Sequence, residues 1–128
     1  IVDLLTWMHQ NKVDYTNTFC HLMNLDPKKD QLFDDNTFLN WKKRWEERLS
    51  KNNNSLKKSL ELMKKNNPLV IPRNHKVEEA LKAAEKDNLK PITKLLEILK
   101  KPYLNQENII DYQIPSNSNE NYQTFCGT

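Results

Sequence analysis

The sequence predicts an all-α protein of five to six short helices, including an αα-hairpin, followed by an extended C-terminal tail. Apolar residues recur at spacings of three and four through most of the chain, which is the helical period. Glycine occurs once among 128 residues, at Gly127, so the chain has no glycine-containing turns to join β-hairpins. The single glycine also excludes a glycine-rich phosphate loop of the Walker, Rossmann or kinase type.

Residues 1–51 hold three predicted helices. Residues 1–10 form the first, and the second begins with Asp14 or Thr16 as its N-cap. Residues 25–35 are predicted to be a loop because they are rich in Asp, Lys and Pro, and Thr37 is predicted to cap the third helix. That helix carries an apolar stripe that we assign to the core rather than to a base-stacking platform: Phe38, Trp41, Trp45 and Leu49.

The rest of the chain holds three more helical segments and an extended stretch. Ser55 is expected to start a helix, and residues 66–74 are predicted to be extended because each of two prolines disfavours helix in the residue before it. Asn74 is expected to cap the next helix, and Pro91 lies in the first turn of the one after it, which Pro102 stops. These last two helices are predicted to form the αα-hairpin, and residues 105–112 can add one or two further turns.

Residues 1–115 are predicted to form one helical module, and residues 116–128 a flexible tail that ends in a cysteine motif. Residues 116–122 are polar and poor in core-forming side chains, which favours mobility. The chain begins with Ile1 in the middle of a helical pattern, so we expect it to be a part of a larger protein.

The charge pattern argues against a nucleic-acid partner, and the short apolar runs argue against a membrane partner. There are 20 Lys and Arg residues against 17 Asp and Glu residues, a formal net charge of +3. The lysine doublets are interspersed with acids, which is typical of solvated helix faces, whereas a nucleic-acid binder of this size usually has a more localised excess. The apolar runs are too short to span a membrane.

Few residues of the sequence are candidates for chemistry. The adjacent carboxylate pairs do not converge on one site of a helix, and His9, His21 and His75 lack the spacing of metal ligands, so we predict neither a catalytic residue nor a metal site. Cys20 is expected to be a small core residue. Cys126 lies near the end of the polar tail, where an exposed thiol suits disulfide exchange.

Arg73 is held between a proline and the predicted cap Asn74, with His75 following. A guanidinium in such a fixed position can bind a carboxylate or a phosphate. The alternative, which we favour, is a structural salt bridge that pins the extended segment.

Several short stretches form a recognisable combination of motifs. They are Asn67 to Ala80 (NPLVIPRNHKVEEA), Val13-Asp14-Tyr15-Thr16, the helix with Phe38, Trp41, Trp45 and Arg48-Leu49, the segment from Leu95 to Tyr103, and Thr124-Phe125-Cys126-Gly127-Thr128. Together they resemble the selenoprotein O family, whose bacterial members are known as YdiU, and the match runs through essentially the whole chain. The chain departs from the family pattern at Glu107, where a proline is usual, and in its polar tail.

The resemblance implies a kinase-like enzyme that transfers AMP from ATP to hydroxyl side chains of other proteins, with Mg²⁺ or Mn²⁺. The family's nucleotide and metal residues lie upstream and none maps onto this sequence. The chain therefore resembles the C-terminal helical region, which has no cofactor of its own, is inactive alone and contacts the upstream kinase-like domain, with Arg73, Asn74 and His75 as structural or contact residues.

The resemblance also assigns a role to Cys126. It corresponds to a position occupied by selenocysteine in some eukaryotic members and linked to redox control through a cysteine of the catalytic part. A bacterial member would be cytoplasmic and a eukaryotic one mitochondrial. Two alternatives remain: a stand-alone helical module for protein or RNA interaction, and a purely structural cap whose loss unfolds the enzyme.

Overall fold

A computed structural model describes residues 1–51 and 55–116. Within these two ranges all regular secondary structure is helical, which confirms the predicted fold class. There is one 3₁₀ turn, at Gln31–Asp34, and there are seven α-helices: α1 Val2–Gln10, α2 Tyr15–Leu22, α3 Asn36–Lys51, α4 Leu56–Asn66, α5 Asn74–Ala84, α6 Lys90–Leu99 and α7 Ile110–Gln113. The predicted tail lies almost wholly outside the described residues.

The amino-terminal half is built around a first core cluster, formed by Leu4, Trp7, Met8, Leu22, Phe33 and Phe38. The rings of Trp7 and Phe38 lie 4.7 Å apart between centroids, so α1 and α3 meet through aromatic side chains. Trp41 and Trp45 are half-buried and pack against the same cluster. The apolar stripe of α3 thus covers the core, as its spacing predicts.

Two sequence predictions about the start of α3 are wrong. Residues 25–35 are not all loop, because Asp30 accepts the backbone N–H of Leu32 and starts the 3₁₀ turn that buries Phe33. The cap of α3 is Asp35 rather than Thr37: its carboxylate accepts the Phe38 backbone N–H at 3.1 Å and the Trp7 indole N–H at 2.8 Å. The bond from Trp7, distant in sequence, fixes Asp35 as the cap.

A second core cluster joins the carboxyl-terminal half to α2. It contains Cys20, Met23, Leu69, Val70, Ile98 and Ile109, and Met63 of α4 packs against both clusters. The extended segment before α5 enters this cluster, and the Leu69 backbone N–H donates to the Pro102 carbonyl at 2.7 Å. The middle of this segment, Leu69 and Val70, is therefore buried in the fold.

Helices α5 and α6 pack against each other as the predicted αα-hairpin. The short connection includes Asp87 with φ of 59°, and the Asn88 backbone N–H closes the end of α5 on the Ala83 carbonyl. The prediction that Asn74 caps α5 is wrong. Asn74 is already helical, because the Val77 N–H bonds to the Arg73 carbonyl, which places Arg73 at the N-cap position.

None of the helices in the described ranges combines the length and the apolar character that crossing a membrane requires.

Candidate functional site

The candidate site is a largely buried cluster of polar side chains that joins three segments of the chain. We call it the Arg73 junction, and its members are Asp14, Asn17, Arg73 and Gln113. The Arg73 guanidinium donates to both carboxylate oxygens of Asp14, with Nη1 to Oδ2 at 2.5 Å and Nη2 to Oδ1 at 2.9 Å. The Arg73 and Asp14 side chains are only 10% and 19% exposed. This is the bidentate arrangement in which arginine and carboxylate bind most strongly.

Local sequence positions both charged groups. Asp14 is the N-cap of α2, and its carboxylate also accepts the Asn17 backbone N–H at 2.8 Å. Arg73 has an extended backbone, with φ of −83° and ψ of 129°, at the point where the proline-containing segment enters α5. Two helix starts that lie 59 positions apart in sequence therefore face each other.

Gln113 ties the last described helix to the same junction. Its backbone carbonyl accepts from Arg73 Nη2 at 2.8 Å and from Asn17 Nδ2 at 3.1 Å. Its side-chain amide donates to the Leu69 carbonyl at 2.8 Å, and Gln113 is 3% exposed. The junction thus connects three segments: the start of α2, the extended stretch before α5, and α7.

The environment of Asp14 lowers its pKa below the ordinary value of 3.8. Burial alone raises the pKa of this carboxyl, but the hydrogen bond from Arg73 and the backbone N–H of Asn17 outweigh it. Asp14 is therefore ionised at neutral pH. Its pairing occupies the guanidinium fork, so Arg73 does not present a free phosphate-binding group.

The remaining candidates for contact with a catalytic part lie beside the junction. Asn74 and His75 occupy the first turn of α5, where Asn74 is exposed and His75 is half-buried. Their contact with another part of an enzyme stays a prediction. Cys126 lies outside the described residues, and its redox role also stays a prediction.

Cys20 is fully buried, as the sequence predicts for a core residue. Burial, followed by the negative charges of Asp26 and Asp14, raises the pKa of its thiol to about 11. A thiol in this state is a poor nucleophile. Within residues 1–51 and 55–116, no three His, Cys, Asp or Glu side chains gather as metal ligands.

Sequence reasoning identified Arg73 but not its partners. Asp14 was recognisable as a helix cap and a motif residue, and nothing local indicates that its carboxylate faces an arginine so distant in sequence. Gln113 carries no sequence signal at all, because two of its three contacts pass through its backbone carbonyl.

The fold and the junction define a helical module whose distant segments are held together by a buried ion pair. The family described as "Protein adenylyltransferase SelO" matches residues 1–100, and the chain belongs to this family. The predicted family resemblance is confirmed.

The chain is similar to several curated proteins called "Protein nucleotidyltransferase YdiU". It is 47% identical to that of Pelagibacter ubique and 45% identical to that of Alcanivorax borkumensis, with all of this chain and 27% of each relative covered. It is also 47% identical to the protein of Clostridium botulinum, of which it covers 26%. The chain thus spans about a quarter of the length of these relatives. No solved structure matches the chain.

Proposed function

We propose that the chain is the C-terminal helical region of a protein adenylyltransferase that transfers AMP from ATP to Ser, Thr or Tyr hydroxyls of other proteins. The observation that carries this proposal is the match of the entire chain to about a quarter of proteins called nucleotidyltransferases. The rest of such an enzyme would bind ATP with Mg²⁺ or Mn²⁺, and the chain itself would supply no catalytic residue.

The residues of the chain support a non-catalytic role for this region. Its one glycine, Gly127, cannot form a glycine-rich phosphate loop. Arg73 and Asp14 form the least exposed ion pair in the described ranges, and they hold helix starts together. Their geometry suits a structural role better than a chemical one.

Apolar side chains left on the surface support contact with a larger partner domain. Val2 and Leu5 of α1 are 75% and 43% exposed, and Leu89 and Leu96 at the hairpin are 61% and 53% exposed. Such side chains gain free energy when a partner domain covers them. We propose that a kinase-like catalytic domain of the same polypeptide covers these surfaces.

The proposal predicts how AMP transfer divides between the chain and the longer enzyme. We expect the isolated chain neither to bind ATP in calorimetry nor to label protein with radioactive AMP, because the groups that bind ATP lie elsewhere. The longer enzyme carrying this region is expected to do both. Labelling by the isolated chain would contradict the proposal, as would a longer enzyme that hydrolyses ATP but never transfers AMP.

The same assay, run with and without reductant, tests the proposed redox role of Cys126. In the longer enzyme, Cys126→Ser is expected to abolish the response to reductant, because the pairing thiol is gone. The matched control is Cys20→Ala, which removes a buried thiol of raised pKa and is expected to leave the response intact. A response that survives Cys126→Ser removes Cys126 from the mechanism.

The alternative of a stand-alone interaction module makes a different prediction. It requires the isolated chain to bind RNA with an affinity that falls as salt is added. The mixed-sign helix faces and the match of the entire chain to a part of proteins called nucleotidyltransferases argue against this alternative.

A further inference from the structure

We propose that the polypeptide directly before Ile1 in the longer enzyme continues α1 by about one helical turn and fills a groove on α3. We call it the Arg48 groove. It has a volume of about 380 Å³, and its lining includes Ile1, Trp41, Trp45, Arg48 and Leu49. The inference rests on the proposed function in one respect, namely that a catalytic domain precedes this region in the polypeptide.

Helices α1 and α3 lie side by side and run in opposite directions. The Trp7 indole N–H bonds to Asp35, just before α3 begins. The Asp3 carboxylate accepts from Arg44 Nη2 at 3.1 Å, about two turns further along α3. The start of α1 is therefore level with Arg44, whereas α3 continues to Lys51. The last part of α3 consequently extends beyond the start of α1.

The apolar stripe of α3 is fully covered only where α1 lies against it. Phe38, whose ring lies against Trp7, is 1% exposed. Trp45 and Leu49 lie further along the same stripe and are only half-buried. The ring of Trp45 is parallel to that of Trp41, with 6.0 Å between their centroids, so the two rings present a flat apolar surface. Covering such a surface is favourable at roughly 25 cal/mol per Å².

The charged residues of the two helices repeat with the same spacing. Arg44 pairs with Asp3 across the helices. Arg48 lies one turn further along α3, and within residues 1–51 and 55–116 no ion pair or hydrogen bond engages its guanidinium. Because the helices are antiparallel, the position one turn before Asp3 faces Arg48. That position lies two residues before Ile1, and we expect it to hold Asp or Glu.

The core-facing residues of α1 determine where the added turn is apolar. Leu4, Trp7 and Met8 are buried, and the same helix face recurs four residues before Leu4. That position lies directly before Ile1, and an apolar side chain there would lie over Trp45. Ile1 stands at the N-cap of α1 without a capping side chain, so an added turn would also supply carbonyl acceptors for the first N–H groups of α1.

Covalent continuity favours this segment over any other occupant of the groove. The relatives are much longer than the chain, which covers 27% of their length. The Cα atom of the residue before Ile1 lies about 3.8 Å from that of Ile1, and Ile1 itself lines the groove. A segment held there by the chain avoids the loss of translational and rotational freedom that a separate partner or a second copy would incur.

The test compares the 128-residue chain with two forms that carry about eight residues, or two helical turns, before Ile1. One form carries the natural residues of the longer polypeptide. The other carries a Gly-Ser repeat of equal length, which moves the terminal ammonium away from Ile1 equally.

We expect the natural extension to raise the ratio of folded to unfolded chain in urea roughly tenfold, which corresponds to covering about 55 Å² of apolar surface. It is also expected to reduce acrylamide quenching of tryptophan fluorescence, because Trp41 and Trp45 become less exposed. The Gly-Ser extension is expected to do neither, because glycine and serine form helix poorly and offer no apolar side chain.

Two variants locate the contact. Arg48→Ser and Leu49→Ser are each expected to cost more stability in the naturally extended chain than in the 128-residue chain, and together to reduce the tenfold gain to below about threefold. Comparing the two backgrounds cancels the effect of serine on α3 itself. The matched control is Leu62→Ser on α4, where the side chain is 62% exposed. Its cost is expected to be equal in both backgrounds.

Several results would overturn the assignment. They are equal stability of the two extended forms, equal losses for Leu49→Ser in the two backgrounds, and a basic residue two positions before Ile1. Dimerisation of the 128-residue chain in sedimentation, with tryptophans shielded only in the dimer, would assign the groove to a second copy. None of these measurements uses ATP, so their failure leaves the proposed AMP transfer standing, and absent AMP transfer leaves this inference standing.

Discussion

At Arg73, a guanidinium and a carboxylate share a site from which water is largely excluded. The hydrogen bonds from Arg73 to Asp14 and to the Gln113 carbonyl replace the lost hydration of the charge. The Arg73 Nε and the Asn17 Oδ1 are buried without hydrogen-bond partners, so the junction is not fully satisfied. Such a site contributes most by defining which segments meet, because any other arrangement leaves a buried charge unpaired.

The lowered pKa of Asp14 predicts a specific dependence of stability on acid. A carboxyl whose pKa is lower in the folded than in the unfolded chain stabilises the fold above the unfolded value. That contribution is lost as the pH falls from about 4, near the ordinary value, through the lower folded value. Asp14→Asn is therefore expected to unfold at less urea than the wild type at neutral pH, and to lose less stability between about pH 4 and about pH 2.

Urea midpoints measured across this pH range, with circular dichroism as the signal, check the prediction. Asp111→Asn provides the control, because Asp111 is an exposed acid on the neighbouring helix α7. Its acid dependence should follow that of the wild type. Parallel curves for Asp14→Asn and the wild type would show that Asp14 contributes nothing to acid sensitivity.

At the scale of elements, α7 is the least self-sufficient part of the described chain. A helix of four residues is not stable alone. It is held by buried Ile109 and Gln113 and by the hydrogen bonds of the Arg73 junction. Ile109 belongs to the same core cluster as Cys20, so detachment of α7 would uncover that thiol.

Cys20 therefore reports on the attachment of α7. In a Cys126→Ser background, the native chain is expected to react slowly with Ellman's reagent, because the thiol is buried and its pKa is about 11. Gln113→Ala removes the bond to the Leu69 carbonyl and is expected to accelerate the reaction roughly fivefold or more, since the lost bond is worth about 1 kcal/mol. Far-UV circular dichroism should change little.

The control for this experiment is Gln10→Ala, which alters an exposed glutamine on α1. Its thiol reactivity should equal that of the parent chain. If Gln113→Ala reacts no faster than Gln10→Ala, α7 does not shield Cys20.

At the scale of the whole molecule, the two core clusters are joined rather than independent. Met63 packs against both, and the Arg73 junction links the start of α2 to the extended segment and to α7. Segments from the first, middle and last parts of the described chain thus depend on one another. We expect a single cooperative unfolding transition rather than two.

Arg73→Ala tests this global connection. Removing one partner of a buried pair is expected to destabilise the chain by about 3 kcal/mol, because the carboxylate of Asp14 remains buried. Arg44→Ala is the matched control: Arg44 pairs with Asp3, but these side chains are 66% and 67% exposed, so a loss below about 1 kcal/mol is expected. Equal urea midpoints for the two variants would refute a global role for the Arg73 junction.

Most helices were predictable because their signals are local. The N-caps Asp14 and Ser55 each accept a backbone N–H three residues ahead, and Pro91 lies in the first turn of α6. Such geometry depends on neighbouring residues alone. The caps predicted at Thr37 and Asn74 were wrong for different reasons. Asp35 also accepts a backbone N–H three residues ahead, so Asp35 and Thr37 are both local candidates, and the contact that favours Asp35 is the distant bond from Trp7. Arg73, at the N-cap position of α5, makes no side-chain cap bond and pairs instead with the distant Asp14.

The sequence by itself determined the all-α class, the αα-hairpin and the family, because periodicity, caps and motifs are properties of residues that lie close together in the chain. Only the tertiary structure decided that Arg73 pairs with Asp14 and that Arg73 and Asn17 both donate to the Gln113 carbonyl. The pairing brings together side chains 59 positions apart. The packing of the helices determines which helix N-termini face each other and which side chains are removed from water. Only then is it determined which charged groups pair.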